Sequence, residues 1–588
     1  MKARKLYNNL GKTTYNMLKI NVITLLLFLL NCINMSAQTF YREGCVYFED
    51  ENSTRGELHQ LHRLPRPKDN WDPSRIYPVA VILVSFSDKD FSVGNPEVPA
   101  SLGDISNIND RYRLLFNEPG FNRGVGPGCV AEYFQKQSNG LFNPRFDIYG
   151  PVQINSSFKS GEKYGKEALR QATTLLIDSV QFDASIYDWD GDGYAESLIY
   201  IYAGYGSNEV NAKAENCIWP NTSSFSNVTA CNTKINLYSA SAELWASLDR
   251  SCGIGSICHE YCHTLGLPDI YPSRNDSVFS VCDEWDLMDG GNFVNNGWCP
   301  PALSAHEKML LGWLTPEVLD SPISITNLQS VEEGGKAYLI PTESSTEFFL
   351  LENRQWVGWD SRTPGHGLLI SHVDYNSSAW SSNNVNNNPD HYRYEFVHAD
   401  NMDYNMWKER GTRRKNGHST ILSSTPYPFV SDTVSNNSFT DLSTPPSTVY
   451  IGETGFLSKP LTQIYELENG LVSFRFMLDD PYHMNYMLTY LVDGEVYKTY
   501  EIEYGTTITP EAEPTKEGCN FSGWSEIPET MPAEDIFIYG SYTTGINSIN
   551  TDSSKAHIYN MQGNRLDKPQ KGLNIIRIKD RKTKMVIK

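Results

Sequence analysis

Between residues 76 and 321 the apolar positions follow two rhythms. PVAVILVSF (Pro78–Phe86) is an unbroken, β-branched run, the pattern of a strand buried on both faces. ESLIYIYA (Glu196–Ala203) predicts another strand, and FDIYGPV (Phe146–Val152) a strand running into a turn. Cys129–Lys136 reads as the start of a helix, Gly165–Val180 as an amphipathic helix, and Gly255–Leu265 as a short helix. Strands interleaved with helices predict an α+β domain over this stretch.

Beyond residue 321 the period shortens. KAYLIP, EFFLLENR, GLLISHVDY and LVSFRFML predict a succession of short strands, so residues 322–480 form a β-rich domain expected to pack on the first. Residues 485–543 form a separate small unit. A polar linker and a short β-module fill 544–588.

The amino terminus reads differently. Basic residues lead into the apolar run Ile20–Leu30, followed by Met35-Ser36-Ala37. The run is about half the ~20 apolar residues that a membrane-spanning helix needs, so residues 1–37 are expected to be a signal peptide, not an anchor. Residues 38–75 are polar and include the Pro-rich RLPRPKDNWDPSR, as expected of a pro-segment or extension. Cys45, within it, is a candidate zinc ligand in a latent form.

The net charge of −21 with no long Lys/Arg run argues against nucleic-acid partners. Export places the cysteines in a compartment where disulfides persist. Cys217 and Cys231 bracket a polar loop and are the first candidates for a pair, whereas Cys258 and Cys262 read as buried or free thiols.

The chemistry concentrates in GSICHEYCHTLGLPDIY (Gly255–Tyr271). On a helix His259 and His263 lie one turn apart on one face, and their imidazoles can reach one zinc ion. Glu260, beside the first of them, can reach a water on that ion and act as general base and then acid. Gly266 ends the helix and Pro268 prevents its resumption, so Asp269 can return as third ligand; Glu284 is the alternative. Two imidazoles, one carboxylate and an open position describe a catalytic site, not a closed structural one. Bound zinc lowers the pKa of its water to about 7 and polarises a carbonyl.

This string, with EWDLMDGGNF (Glu284–Phe293) and PPALSAHEKMLLGWLTP (Pro300–Pro316), resembles the immune-inhibitor-A-type metallopeptidases, marked by HExxHxxGxxD and a methionine-bearing turn. PVAVILVSFSD, YFQKQSNGLF, FFLLENRQWVGWD and PGHGLLISHVDYN extend the resemblance over about residues 76–478. It implies a zincin (metzincin-like) fold, secreted endopeptidase activity on protein or peptide substrates, and Met288 as the methionine beneath the metal. Cys262 departs from the family's usual Gly.

DWDGDGYAES sets Asp188, Asp190 and Asp192 at alternate positions, with Tyr194 and Glu196 following, the beginning of a calcium loop. Ile199 stands where such a loop would carry its bidentate Glu, so another ligand is needed. Thr489–Thr543 resembles an internalin-type B repeat, which implies adhesion or spacing, and the last segment resembles a type IX secretion sorting domain, which implies contact with outer-membrane export machinery. The competing reading is a surface adhesion protein that keeps a peptidase-like fold without turnover.

Overall fold

The computed structural model describes residues 71–92, 107–121, 125–209, 211–247, 249–273, 281–402 and 422–544, and the backbone of four strands within 556–587. The expected signal peptide, most of the expected pro-segment with Cys45, and most of the linker after residue 544 lie outside them.

The fold mixes helix and sheet. One compact unit runs to Tyr486 and takes in Pro532–Asp535; the second holds Met487–Met531 and Ile536 onward. The first unit is built on a seven-stranded sheet of β1 (Tyr77–Ser85), β2 (Pro144–Gln153), β3 (Tyr194–Ala195), β4 (Leu198–Tyr205), β5 (Asn221–Ala230), β6 (Thr233–Trp245) and β7 (Arg250–Ser251). β1 lies between β2 and β4, parallel to both, and β4 is parallel to β6. This central position explains why YPVAVILVS is apolar almost throughout: both faces of the strand are covered.

β3 and β4 continue each other along one side of β6; β5 and β7 run antiparallel along its other side. The β5–β6 hairpin occupies the stretch that reads from sequence as a polar loop. Ser, Thr and Asn dominate β5, so its alternation of buried and exposed positions has little apolar signal. The hairpin also corrects the Cys217–Cys231 expectation. The ten residues of β5 span roughly 30 Å and carry the two cysteines to opposite ends, Cys217 buried and Cys231 exposed at the hairpin turn. Both are free, as are Cys258 and Cys262.

Helices Val130–Gln137, Lys166–Val180 and Gly255–Thr264 begin and end close to the expected positions, and Ile108–Asn117 adds one the sequence reading omitted. The later strands form a five-stranded sheet including Ala337–Pro341, Glu347–Arg354 and Gly367–Asp374, and a three-stranded sheet of 323–328, 461–466 and 472–476. These regions do not divide the first unit into separate cores. Val79–Val84, Tyr261 and Leu265 share one apolar cluster with Trp359, Leu369, Val373, Trp380 and Tyr394, while a second cluster fills the space around Phe349, Leu368 and Phe474.

A buried ion pair ties these parts together. Arg354 Nε donates to Asp360 Oδ2 at 2.7 Å and Nη2 to Oδ1 at 2.5 Å, while Ala302 N also donates to Asp360 Oδ1 and Ala302 O receives Arg354 Nη2. Both side chains are fully buried.

In the second unit, strands Asn485–Val492 and Glu495–Glu503 are joined through Asp493-Gly494, both at positive φ, as a two-residue hairpin turn requires. Residues Leu488–Val492 pair in parallel with Ile536–Gly540, and Trp524 packs edge-on against Tyr490 and Phe521. The last strands form a four-stranded antiparallel sheet, Ala556–Tyr559 between Arg565–Leu566 and Gly572–Ile578, with Arg581–Ile587 outermost. Among the described residues no helix is long and apolar enough to cross a membrane.

Candidate metal centre

The helix Gly255–Thr264 is buried along its whole length and packs against β6 and β5. Its first residue must be small: a Cβ on Gly255 would stand 2.0 Å from the carbonyl oxygen of Asn292. Its end is a paired Schellman closure. Gly266, at φ 103°, donates its N–H to His263 O, and Leu267 N–H reaches Cys262 O. The bend turns the chain back, and Asp269 arrives beside the two histidines.

Three atoms converge there. Asp269 Oδ1 lies 3.2 Å from His259 Nε2 and 3.1 Å from His263 Nε2. Ligands around a tetrahedral zinc with bonds of ~2.0 Å are about 3.3 Å apart, so the spacing suits one ion. The other ring nitrogens are already engaged. His259 Nδ1 is 2.8 Å from Leu287 O and His263 Nδ1 is 2.7 Å from Leu267 O. A carbonyl only accepts, so each Nδ1 carries the proton and each Nε2 presents its lone pair to the common point. Asp269 Oδ1 is buried and has no hydrogen-bond donor among the described residues. A buried carboxylate oxygen without a donor, facing two imidazole lone pairs, fits a cation.

The electrostatics agree. Burial by itself would lower the His259 pKa, but the Asp269 and Glu260 carboxylates outweigh it and raise it to about 9. Burial would raise that of Asp269; the two histidines overcome it and hold the carboxyl far below its ordinary range.

Glu260, next in line, is buried, and desolvation pushes its pKa up against the lowering effect of the histidines. Thr222 of β5 steadies it, its hydroxyl 2.7 Å from Glu260 O and 3.1 Å from Oε2. Tyr271 stacks near His259, with ring centroids 6.4 Å apart, and burial together with the Asp269 and Glu260 charges keeps its hydroxyl protonated. Neither Thr222 nor Tyr271 was flagged by sequence spacing.

Met288 is fully buried, and its turn serves the site through the backbone. Leu287 O orients His259, and Met288 O receives the N–H of Ile270, the residue after Asp269. Glu284 stands in the short turn Asp283–Trp285 and takes no part in the cluster around the histidines.

In the acidic loop, Asp188, Asp190 and Glu196 can bring ligand oxygens within 4.8 Å of one another. Asp192, expected with them, is not in that group, and its Oδ1 receives the N–H of Tyr194. The Tyr194 hydroxyl accepts from Lys234 Nζ. The loop's own N–H groups from Gly191, Asp192 and Gly193 all point at Asp188, which is how an acidic turn closes without any ion.

Residues 75–312 match the family model for the catalytic domain of the immune inhibitor A peptidase M6, and residues 486–534 match the Listeria-Bacteroides repeat domain. The chain is 24% identical over 268 aligned residues to immune inhibitor A of Bacillus thuringiensis subsp. alesti, covering 39% of each protein. It is 23% identical over 243 residues to the pre-pro-metalloprotease PrtV of Vibrio cholerae serotype O1 (strain M66-2), covering 35% of this chain and 26% of that one. The chain thus spans well under half the length of both relatives.

Proposed function

We propose that this protein is a secreted zinc metalloendopeptidase, with His259, His263 and Asp269 holding the ion and Glu260 moving protons. The reading rests on the meeting of His259 Nε2, His263 Nε2 and Asp269 Oδ1 at one point beside a buried glutamate. The match of residues 75–312 to a peptidase catalytic domain, and relatives named as an immune inhibitor and a metalloprotease, support it. A bound zinc would acidify a water and polarise a peptide carbonyl. Glu260, buried beside the cluster, would be placed to accept a proton from that water and to return it to the leaving amine. Tyr271, protonated at neutral pH and with its ring centroid 6.4 Å from that of His259, is a candidate hydroxyl donor to the carbonyl. β5, antiparallel to β6 and carrying Thr222, gives an extended substrate chain an edge to lie along.

The purified chain is expected to contain one zinc per molecule and to hydrolyse casein. A strong chelator should abolish cleavage, and zinc should restore it. Cleavage that is indifferent to the chelator would remove the metal mechanism, and a zinc-loaded chain inert on every protein offered would favour the adhesion reading.

Export follows from the leader at residues 1–37. The repeat at 486–534 acts as spacer or adhesive arm, and the terminal sheet as the handle for outer-membrane export. Asp188, Asp190 and Glu196 form a stabilising calcium site. Burial and the neighbouring Asp190 and Asp188 charges push Glu196 up to about 8, so a cation there would relieve the crowding. Calcium added to zinc-loaded protein should raise its unfolding midpoint by several degrees, and Asp188→Asn should remove the rise. An equal rise in that variant would place calcium elsewhere or nowhere.

A further inference from the structure

Asn383 lies well beyond the matched catalytic segment 75–312, yet it grips the third member of the metal cluster. Its Nδ2 donates to Asp269 Oδ2 at 2.7 Å, and its Oδ1 receives the backbone N–H of Asp269 at 2.7 Å. One planar amide therefore reads the side chain and the main chain of a single residue, and both partners are buried. The orientation is fixed: a flipped amide would set oxygen against carboxylate and NH2 against N–H.

We propose that Asn383 is a positioning residue that keeps Asp269 a one-oxygen ligand. The proposal rests on the zinc reading above. With Oδ2 occupied by the amide, only Oδ1 is left to face the histidines, and the remaining coordination space stays open for water and substrate. Without the amide, the carboxylate is free to rotate and offer both oxygens, which would close that space.

The support behind Asn383 is firm. It sits at φ 51°, in the left-handed region that Asn tolerates, and its carbonyl receives the Ser273 hydroxyl at 3.0 Å. Asn386, on the same segment, donates to Ile270 O at 3.0 Å and Tyr394 O at 2.7 Å, and receives the N–H groups of Arg393 and Tyr394. Trp380, from which the segment departs, is buried in the shared apolar core. The loop after Gly266 is thus clasped at Asp269, Ile270 and Ser273 by residues from the β-rich half. Partners of this kind typically change metal affinity 10–100-fold.

The experiment measures zinc affinity of the full chain by competition with a chromophoric chelator, for wild type, Asn383→Ala and Asn383→Asp. The aspartate keeps the size of the side chain but, ionised, cannot donate to Asp269 Oδ2, so it decides the matter if the alanine variant fails to fold. Far-UV circular dichroism of the metal-free proteins confirms folding. Both variants should bind zinc about 10–100-fold more weakly, and their cobalt(II) forms should lose visible absorption intensity as coordination number rises. A folded Asn383→Asp chain with zinc affinity within twofold of wild type and an unchanged cobalt spectrum overturns the proposal while leaving the zinc reading intact. A wild-type chain that takes up no zinc overturns both.

Discussion

Replacing Glu260 with Gln should lower kcat/KM on a protein substrate by about 10²–10⁴-fold, the usual worth of a positioned general base, without reducing zinc content. The amide has the shape of the carboxylate and can still accept the Thr222 hydroxyl, now 3.1 Å from Oε2. The three converging atoms belong to His259, His263 and Asp269, so the metal cluster is left whole. What the amide lacks is a basic oxygen. Steady-state kinetics beside metal analysis separate the two effects. A variant with full zinc and activity within tenfold of wild type would mean that the proton goes elsewhere; loss of zinc would mean that Glu260 helps hold the metal.

The largest effect on stability is expected at the buried pair of Arg354 and Asp360. Asp360→Asn removes the charge that answers Arg354, and both side chains are fully buried. Glu352 answers Arg354 only in part: its Oε2 is 3.8 Å from Arg354 Nη1, beyond hydrogen-bond reach, and already receives Ala305 N–H. Breaking a buried pair from one side costs about 3–5 kcal/mol when the charge left inside is unanswered, and Glu352 places the loss here toward the lower end. Urea unfolding of the zinc-free chain, followed by tryptophan fluorescence, should show this loss in the transition of the first unit. The double variant Arg354→Met, Asp360→Leu should recover most of it, since well-packed apolar residues can replace a buried pair. A single variant as stable as wild type would show that the pair contributes nothing.

The helix that carries His259 and His263 was legible because its signal is local. His259 and His263 are set by helical period, Gly266 and Pro268 by the bend, and Asp269 by the short return. Even the choice between Asp269 and Glu284 follows the bend, since Asp269 needs only the turn while Glu284 needs a second element. Asn383 and Thr222 carried no such mark. Each meets its partner from a distant part of the chain, and Asn or Thr in a polar stretch looks like ordinary turn chemistry. The β5–β6 hairpin escaped for a related reason: β5 is so rich in Ser, Thr and Asn that burial leaves no apolar alternation to read. At the acidic loop, alternate spacing foretold three aspartates together, but Asp192 receives the Tyr194 N–H instead, while Glu196 reaches back to join Asp188 and Asp190.

Trp359, Leu369, Val373, Trp380 and Tyr394 complete the same interior as β1 and the helix of His259. During synthesis, then, residues 75–312 gain their full packing only once the chain as far as Leu422 has been made, although domains usually fold in order from the amino end. For the protease proposed above, such a dependence would be a safeguard, since a partial translation product would lack part of the interior that holds the metal cluster.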